Sequence, residues 1–186
     1  MTSLFIVVLT IVMANGEYLP FDGSCPDPDS PEGLNLNLDE TYYPIAETVK
    51  ENARSDIADK FEKTPVGFKA TEVFRVPNSG DDCLGIELIL NELEKGKYVV
   101  VHQEEHDDKV GDYSGDFVTF LSEKVVFFCR ERDSKFYAQV GVLSTEPKEF
   151  DSDERGSVEK LLTSNDLDFL NEYLSPVKHD NPCDLE

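Results

Sequence analysis

Residues 117–147, FVTFLSEKVVFFCRERDSKFYAQVGVLSTEP, decide the fold of this 186-residue chain. They divide into three short apolar segments, separated by polar turns at residues 122–124 and 133–134. Apolar residues occupy both faces of each segment, as Phe127 and Phe128 illustrate. Such segments are typical of strands that line an interior on one face and are covered on the other.

The same period of two extends upstream to Phe68. Short strands joined by tight turns predict an antiparallel meander that closes into a barrel or a sandwich. The six segments are FKATEVFRV (68–76), CLGIELIL (83–90), KYVVVHQ (97–103), DFVTFL (116–121), KVVFFCRER (124–132) and KFYAQVGVL (135–143).

Two other regions have apolar residues at helical spacing. After Pro147, a run from Val158 to Leu174 predicts one amphipathic helix outside the sheet, with a candidate break near Asn165 and a stop at Pro176. Residues 49–63 place Ala53, Ile57 and Phe61 at the same spacing. A short helix and a long structured loop fit this second region equally well.

The N-terminus predicts secretion. Residues 1–16 are uncharged, mostly apolar, too short to cross a bilayer, and end in small residues, as a signal peptide does. No later segment has the length of a membrane helix, so we expect a soluble extracellular protein without membrane insertion. Residues 17–39, rich in Pro, Asp and Asn, predict an extended arm, and residues 40–186 predict a single barrel domain.

The net charge and the cysteines limit the classes of function that fit this chain. The formal net charge of −22 argues against nucleic acid as a partner. Such acidity favours solubility in a body fluid or attraction of a cationic ligand or surface. Four cysteines in an oxidising compartment predict two disulfides, and three pairings are open.

At this point the chain resembles a known family. YYPIA (42–46) is similar to the first lipocalin motif, with Tyr42 in the tryptophan position and Tyr43 in the tyrosine position. KVVFFCRER and KFYAQVGVLSTEP resemble the seventh and eighth lipocalin strands. The C-terminal third is most similar to the alpha-1-acid-glycoprotein type, including the final Cys-x-Leu-Glu. The resemblance implies an all-β fold: an eight-stranded antiparallel up-and-down barrel with a C-terminal α-helix packed outside.

Two departures from the family pattern are coupled. The family closes the barrel base by stacking its motif tryptophan on an Arg or Lys after the eighth strand. Here the chain has no Trp, and Thr145 stands in the arginine position. Both partners of the cation–π pair are therefore missing together, as expected of an outlying lipocalin. Tyr42 is expected to close the base instead, with its hydroxyl on a polar partner.

The resemblance also bears on the disulfides. It implies a bridge between Cys83 and Cys183, which leaves Cys25 to pair with Cys129. A disulfide at Cys129 also argues against a catalytic thiol there.

We expect neither an enzyme nor a metal site. His102 and His106 match the H-x-x-E-H zinc motif, but that motif needs a helix, and a strand signature precedes it here. The motifs of serine hydrolases, phosphate loops and dinucleotide-binding folds are absent. No cofactor is expected, although a bound chromophore or lipid fits the barrel.

The function expected from this sequence is a secreted carrier or scavenger. It would enclose a small hydrophobic or amphipathic ligand, of the retinoid, steroid, fatty acid or pigment class, in the barrel. The oligomeric state stays open. The residues expected to contact the ligand are Tyr43, Phe74, Glu87, Leu88, Tyr98, Val100, Phe120, Phe128 and Tyr137.

Three alternatives remain. Glu72 and Glu87 lie in otherwise apolar strands, where they either face solvent or form a buried carboxylate that recognises an amine. The amine hypothesis resembles the arthropod amine-scavenging lipocalins. A second alternative is a collapsed barrel that binds another protein in immunity or defence. A third is an α+β fold of the cystatin kind, with residues 48–61 as a long helix across a smaller sheet.

Overall fold

Ten strands form one antiparallel sheet in the computed structural model of the chain. The structure describes residues 18–31, 37, 40–49, 54–76, 82–105 and 114–185, with only the backbone for residues 102–105. The strands are β1 (Leu19–Asp22), β2 (Thr41–Thr48), β3 (Ser55–Thr64), β4 (Gly67–Arg75), β5 (Leu84–Glu94), β6 (Lys97–Glu105), β7 (Phe117–Phe120), β8 (Val125–Arg132), β9 (Lys135–Ser144) and β10 (Leu174–Pro176).

The sheet closes into a barrel because β9 pairs with two partners along one edge. Strands β2 to β9 each pair with the next, and β2 also pairs with β9, with Pro44 opposite Leu143. The first half of β9 instead pairs with β1, where Leu19 lies opposite Ala138. Strand β10 adds to the other edge of β2. The predicted eight-stranded barrel is therefore confirmed, and the smaller cystatin-like sheet is wrong.

The barrel has two different ends. Short connections at residues 65–66, 95–96 and 121–124 lie at one end, which we call the base. At the opposite end, which we call the mouth, β2, β4 and β6 end and β3, β5 and β7 begin. Antiparallel succession dictates this alternation, because every second connection returns to the same end.

Apolar side chains fill both sides of the barrel wall, as the sequence predicts. An inner cluster occupies the lumen, while an outer cluster packs beneath helix α1 (Ser152–Ser164), the 3₁₀ helix (Asp168–Tyr173) and β1. Leu162, Leu167 and Leu170 are fully buried there. Asp151 caps α1 by accepting hydrogen bonds from two backbone amides, and Asn165 ends it. The helix outside the barrel and its break near Asn165 are confirmed, whereas Leu174 begins β10.

The helical interpretation of residues 49–63 is wrong over the part that the structure describes. Residues 55–64 form β3, and Ala53 lies outside the described residues. Ile57 and Phe61 share a face in either structure, because a spacing of four fits a period of 2 as well as 3.6. In a strand, however, Asp59 between them points to the same interior face.

Both disulfides are confirmed. Cys25 joins Cys129 and Cys83 joins Cys183, with S–S distances of 2.05 and 2.01 Å. The first fixes the N-terminal arm to the outer face of β8. The second ties the chain end beside the start of β3, where Asp56 Oδ1 accepts a hydrogen bond from the backbone of Asn181 at 2.8 Å.

Residues 1–16, the expected signal peptide, lie outside the described residues. Over the ranges that the structure does describe, no helix is long and apolar enough to cross a bilayer.

Candidate ligand-binding cavity

The barrel encloses a cavity between an apolar half and a charged half. The centre of a water molecule can occupy a volume of about 70 Å³ inside this cavity. At roughly 10–15 Å³ for each water, this is room for about five waters. Apolar walls come from residues such as Phe61, Phe68, Leu88, Val118, Phe120 and Phe128. Polar side chains on the lining are Tyr18, Glu47, Arg54, Asp59, Glu72 and Gln139.

Aromatic rings form the floor toward the base. The ring of Phe61 lies 5.6 Å from that of Tyr42 and 6.1 Å from that of Phe120. Tyr98 continues the series, with its ring centroid 5.9 Å from Phe120 and 5.3 Å from Phe68. Burial raises the pKa of Tyr98 to about 12, so its hydroxyl stays neutral at physiological pH.

Tyr42 occupies the position expected for a base-closing residue. Its side chain is buried, and its hydroxyl oxygen accepts a hydrogen bond from the Asn37 amide at 3.0 Å. The same hydroxyl lies 3.3 Å from the Asn37 carbonyl, to which it donates. Burial raises the pKa of Tyr42. A buried tyrosine anchored to the backbone therefore lies at the base of the barrel.

Above this floor, Arg54 bonds two carboxylates from β2 and β4, the strands that flank β3. Its Nη2 contacts Glu47 Oε1 at 2.5 Å, and its Nη1 contacts Glu72 Oε1 at 2.5 Å. The guanidinium carbon lies 5.1 Å from the ring centroid of Phe74. Burial raises the pKa of Glu47, and the positive charge of Arg54 opposes that rise.

Asp59 adds a third carboxyl that Arg54 does not bond. It is 8% exposed, and its Oδ1 receives no hydrogen bond from any residue in the described parts of the chain. Burial, reinforced by the negative charge of Glu72, raises the pKa of Asp59 well above its ordinary value. Three carboxyls thus lie beside one guanidinium inside the barrel, and the guanidinium bonds two of them. We call Glu47, Arg54, Asp59 and Glu72 the acidic cluster.

A second ion pair lies at the mouth, and its carboxylate already has hydrogen-bond donors. Arg130 binds buried Asp116 through Nε at 2.5 Å and through Nη2 at 2.9 Å. The Tyr18 hydroxyl donates to the same carboxylate at 2.5 Å. Tyr18 precedes β1 where β9 changes partner, so this group joins the N-terminal arm to the cavity lining.

The predicted contact residues fall into three groups. Leu88, Phe120 and Phe128 line the cavity. Phe74, Tyr98 and Val100 lie in the inner cluster around it. Tyr43 and Tyr137 are half-buried and outside the cavity lining, and Tyr43 instead meets the ring of His179 at 5.9 Å.

Glu87 requires a correction, because it lies on the outer face of the barrel. It alternates with Ile86 and Leu88, both of which point inward. Its Oε1 contacts Lys69 Nζ at 2.6 Å, and this hydrogen bond raises the pKa of Lys69. Of the two carboxylates singled out in the sequence, only Glu72 reaches the cavity.

The sequence reasoning missed Glu47, Arg54 and Asp59. Asp59 was concealed by the helical interpretation, although the alternation of Ile57, Asp59 and Phe61 would have placed it inside. Glu47 lies next to Ala46 in a strand of mixed pattern, and Arg54 directly precedes β3. They meet because β2, β3 and β4 lie side by side in the sheet.

The zinc-like motif lies largely beyond what the structure describes. His102 is in β6, where only the backbone is described, and His106 lies outside the described residues. Among the described residues, no group of three or more His, Cys, Asp or Glu side chains is arranged so that it could hold a metal ion.

Comparison with solved structures shows the fold. Insecticyanin from the tobacco hornworm Manduca sexta matches with a TM-score of 0.58 and 14% identity, covering 86% of this chain and 88% of its own. Lobster apocrustacyanin A1 matches with a TM-score of 0.61 and 9% identity, covering 87% of this chain and 92% of its own. H1 crustacyanin from the lobster Homarus americanus matches with a TM-score of 0.62 and 9% identity, covering 87% of this chain and 91% of its own.

At these identities the likeness establishes architecture alone. No protein-family model matches the sequence, and no curated protein sequence matches it. The chain has the lipocalin fold, a closed eight-stranded barrel with a C-terminal helix outside. The closer resemblance to the alpha-1-acid-glycoprotein type stays a prediction.

Proposed function

We propose that this protein is a secreted carrier or scavenger that encloses a small organic cation with an apolar body. One observation carries the proposal: three carboxyls line a largely apolar cavity beside a single guanidinium, which bonds only two of them. The protein acts by binding alone, without a cofactor. Two disulfides, which persist in oxidising compartments, support secretion.

The charge of the cavity favours a cation. Buried carboxylates are costly unless they are paired, and Arg54 already bonds Glu47 and Glu72. An ammonium group about 4 Å from a carboxylate gains about 4 kcal/mol at an effective dielectric constant of 20. The same field repels a fatty acid carboxylate. Among the expected ligand classes, an amine therefore fits the acidic cluster best.

The size and walls of the cavity favour a small, partly apolar amine. Ligand pockets for drug-sized molecules have volumes of roughly 300–1,000 Å³. The 70 Å³ open here is far smaller and suits a short aryl or alkyl chain. Each methylene buried against the aromatic floor contributes about 0.8 kcal/mol. A retinoid or steroid would require the inner side chains to move.

A neutral apolar ligand is the second candidate. The continuous aromatic floor of Phe61, Phe68, Tyr98 and Phe120 favours it. This candidate assigns no role to the acidic cluster. The two candidates therefore differ in their dependence on ligand charge.

A matched set of probes separates the candidates. Thermal shift and isothermal calorimetry are applied to the full chain, expressed through a secretory pathway, with 2-phenylethylamine, 2-phenylethanol and 3-phenylpropanoate. We expect the amine to bind about 10- to 100-fold more tightly than the alcohol, because a hydrogen bond to a charged group contributes about 1.5–3 kcal/mol. The carboxylate should not bind. Equal affinity for amine and alcohol would favour the neutral ligand, and binding of none would overturn the carrier proposal.

Two variants assign the effect to the cavity. Asp59→Asn should lose most of the preference for the amine, since it removes the one carboxyl of the acidic cluster that Arg54 does not bond. Glu87→Gln is the matched control, because Glu87 lies on the outer face of the same barrel and pairs with Lys69. It should bind all three probes as the unaltered protein does.

A further inference from the structure

We propose that Asp59 holds a proton beside Glu72 in the empty barrel, and that an entering cation displaces it. Binding would then release about one proton for each cation bound and would strengthen as the pH rises. This inference rests on the proposed function, since it concerns how the same cavity receives its ligand.

Strand register places the two carboxyls side by side. Asp59 on β3 lies directly opposite Glu72 on β4, and both line the cavity. Like charges in directly opposed positions destabilise a sheet. Two buried carboxyls held side by side in this way cannot readily both ionise, and a proton on Asp59 removes the repulsion.

Among the described residues that line the cavity, Asp59 has no cationic neighbour besides Arg54. From β2, Glu47 adds a negative charge, and Arg54 before β3 bonds Glu47 and Glu72. From β9 comes neutral Gln139, while Tyr18 of the arm bonds Asp116, which Arg130 neutralises. Among the described residues that line the cavity, Arg54 is the only cationic side chain. The raised pKa of Asp59 has the same origin.

Exchanging a proton for an ammonium group leaves the net charge of the cavity unchanged. The proton passes to solvent, and the ammonium takes its place between the same oxygens. The cavity gains one positive charge and loses one, so the apolar walls face the same net charge in both states. At pH values where Asp59 is fully protonated in the empty protein, the affinity for the cation should rise about tenfold for each unit of pH.

Calorimetry in several buffers tests this proposal. Binding of 2-phenylethylamine is measured near neutral pH in buffers with different enthalpies of ionisation. Its ammonium titrates near pH 10, as that of lysine does, so only the protein exchanges protons. We expect the slope of binding enthalpy against buffer enthalpy to correspond to release of about one proton. Glu87→Gln should give the same slope, and Asp59→Asn a slope near zero.

An infrared measurement provides a readout that does not depend on a variant. The carbonyl band of a protonated carboxylic acid should be present in the empty protein and disappear on addition of the amine. Amine binding with zero slope and no such band would overturn proton displacement and leave the carrier proposal intact. Failure of every amine to bind would overturn both.

Discussion

Replacing Asp59 with asparagine should stabilise the empty protein, and the gain should depend on pH. Asp59 is buried, its Oδ1 receives no hydrogen bond from the described residues, and its pKa is raised well above the ordinary value. A carboxyl with a raised pKa in the folded state contributes stability below its unfolded pKa, about 3.9. That contribution is lost as the pH rises through the folded-state pKa. Asparagine, which is neutral throughout, avoids the loss.

The size of the gain follows from the buried negative charge that asparagine removes. A buried polar group without a hydrogen bond costs about 1–3 kcal/mol, and more when it is charged. We therefore expect Asp59→Asn to raise the free energy of unfolding by about 1–3 kcal/mol near pH 8. For a chain of this length, that corresponds to roughly 2–12 °C in the melting temperature. The gap should close as the pH approaches about 4.

Urea and thermal unfolding, followed by circular dichroism over a pH series, measure the gap. Glu87→Gln is the control and should change stability by no more than about 0.5 kcal/mol at any pH. The reasoning is refuted if Asp59→Asn is less stable than the unaltered protein near pH 8. It is also refuted if the gap is the same at all pH values. Replacing a binding residue is expected to stabilise a protein whose site keeps a destabilising arrangement for the sake of function.

Three further substitutions test other parts of the account. Ala70→Leu adds a side chain to the cavity lining and should abolish 2-phenylethylamine binding by calorimetry while the circular dichroism spectrum is retained; undiminished affinity would mean that the amine binds elsewhere. Leu162→Ala removes a fully buried side chain under α1 and should cost about 2–5 kcal/mol in urea unfolding without weakening the amine; a smaller loss would mean loose packing outside the barrel. Serine at both Cys83 and Cys183 opens a link across 100 residues and should also cost about 2–5 kcal/mol; an unchanged unfolding midpoint would contradict a structural role for the bridge.

The barrel was predictable because its signals are local. Six of its eight strands alternate with a period of two and are separated by turn residues, and these properties survive in the structure. Strand β3 was missed because Ile57 and Phe61 satisfy both a helical and a strand period. The outer helix was found because its apolar residues must face the barrel, and its end at Asn165 agreed with the break in the pattern.

The acidic cluster was only partly predictable. Strict alternation would have corrected Glu87, since adjacent Glu87 and Leu88 cannot both face the interior of one strand. Glu72 shares the inward parity of Phe74 and was open to the same reasoning. Arg54, by contrast, meets its partners only because three segments converge at one side of the lumen. No pattern within a single segment encodes that convergence.

The central claim is that the acidic cluster receives the charged end of a small amine. A crystal structure of the protein grown with 2-phenylethylamine tests it most directly. The account predicts the ammonium nitrogen about 2.7–3.2 Å from carboxyl oxygens of Asp59 and Glu72, with the phenyl ring against Phe61 and Phe120. An amine on the protein surface, or one in the cavity with its nitrogen turned away from both carboxyls, would contradict it.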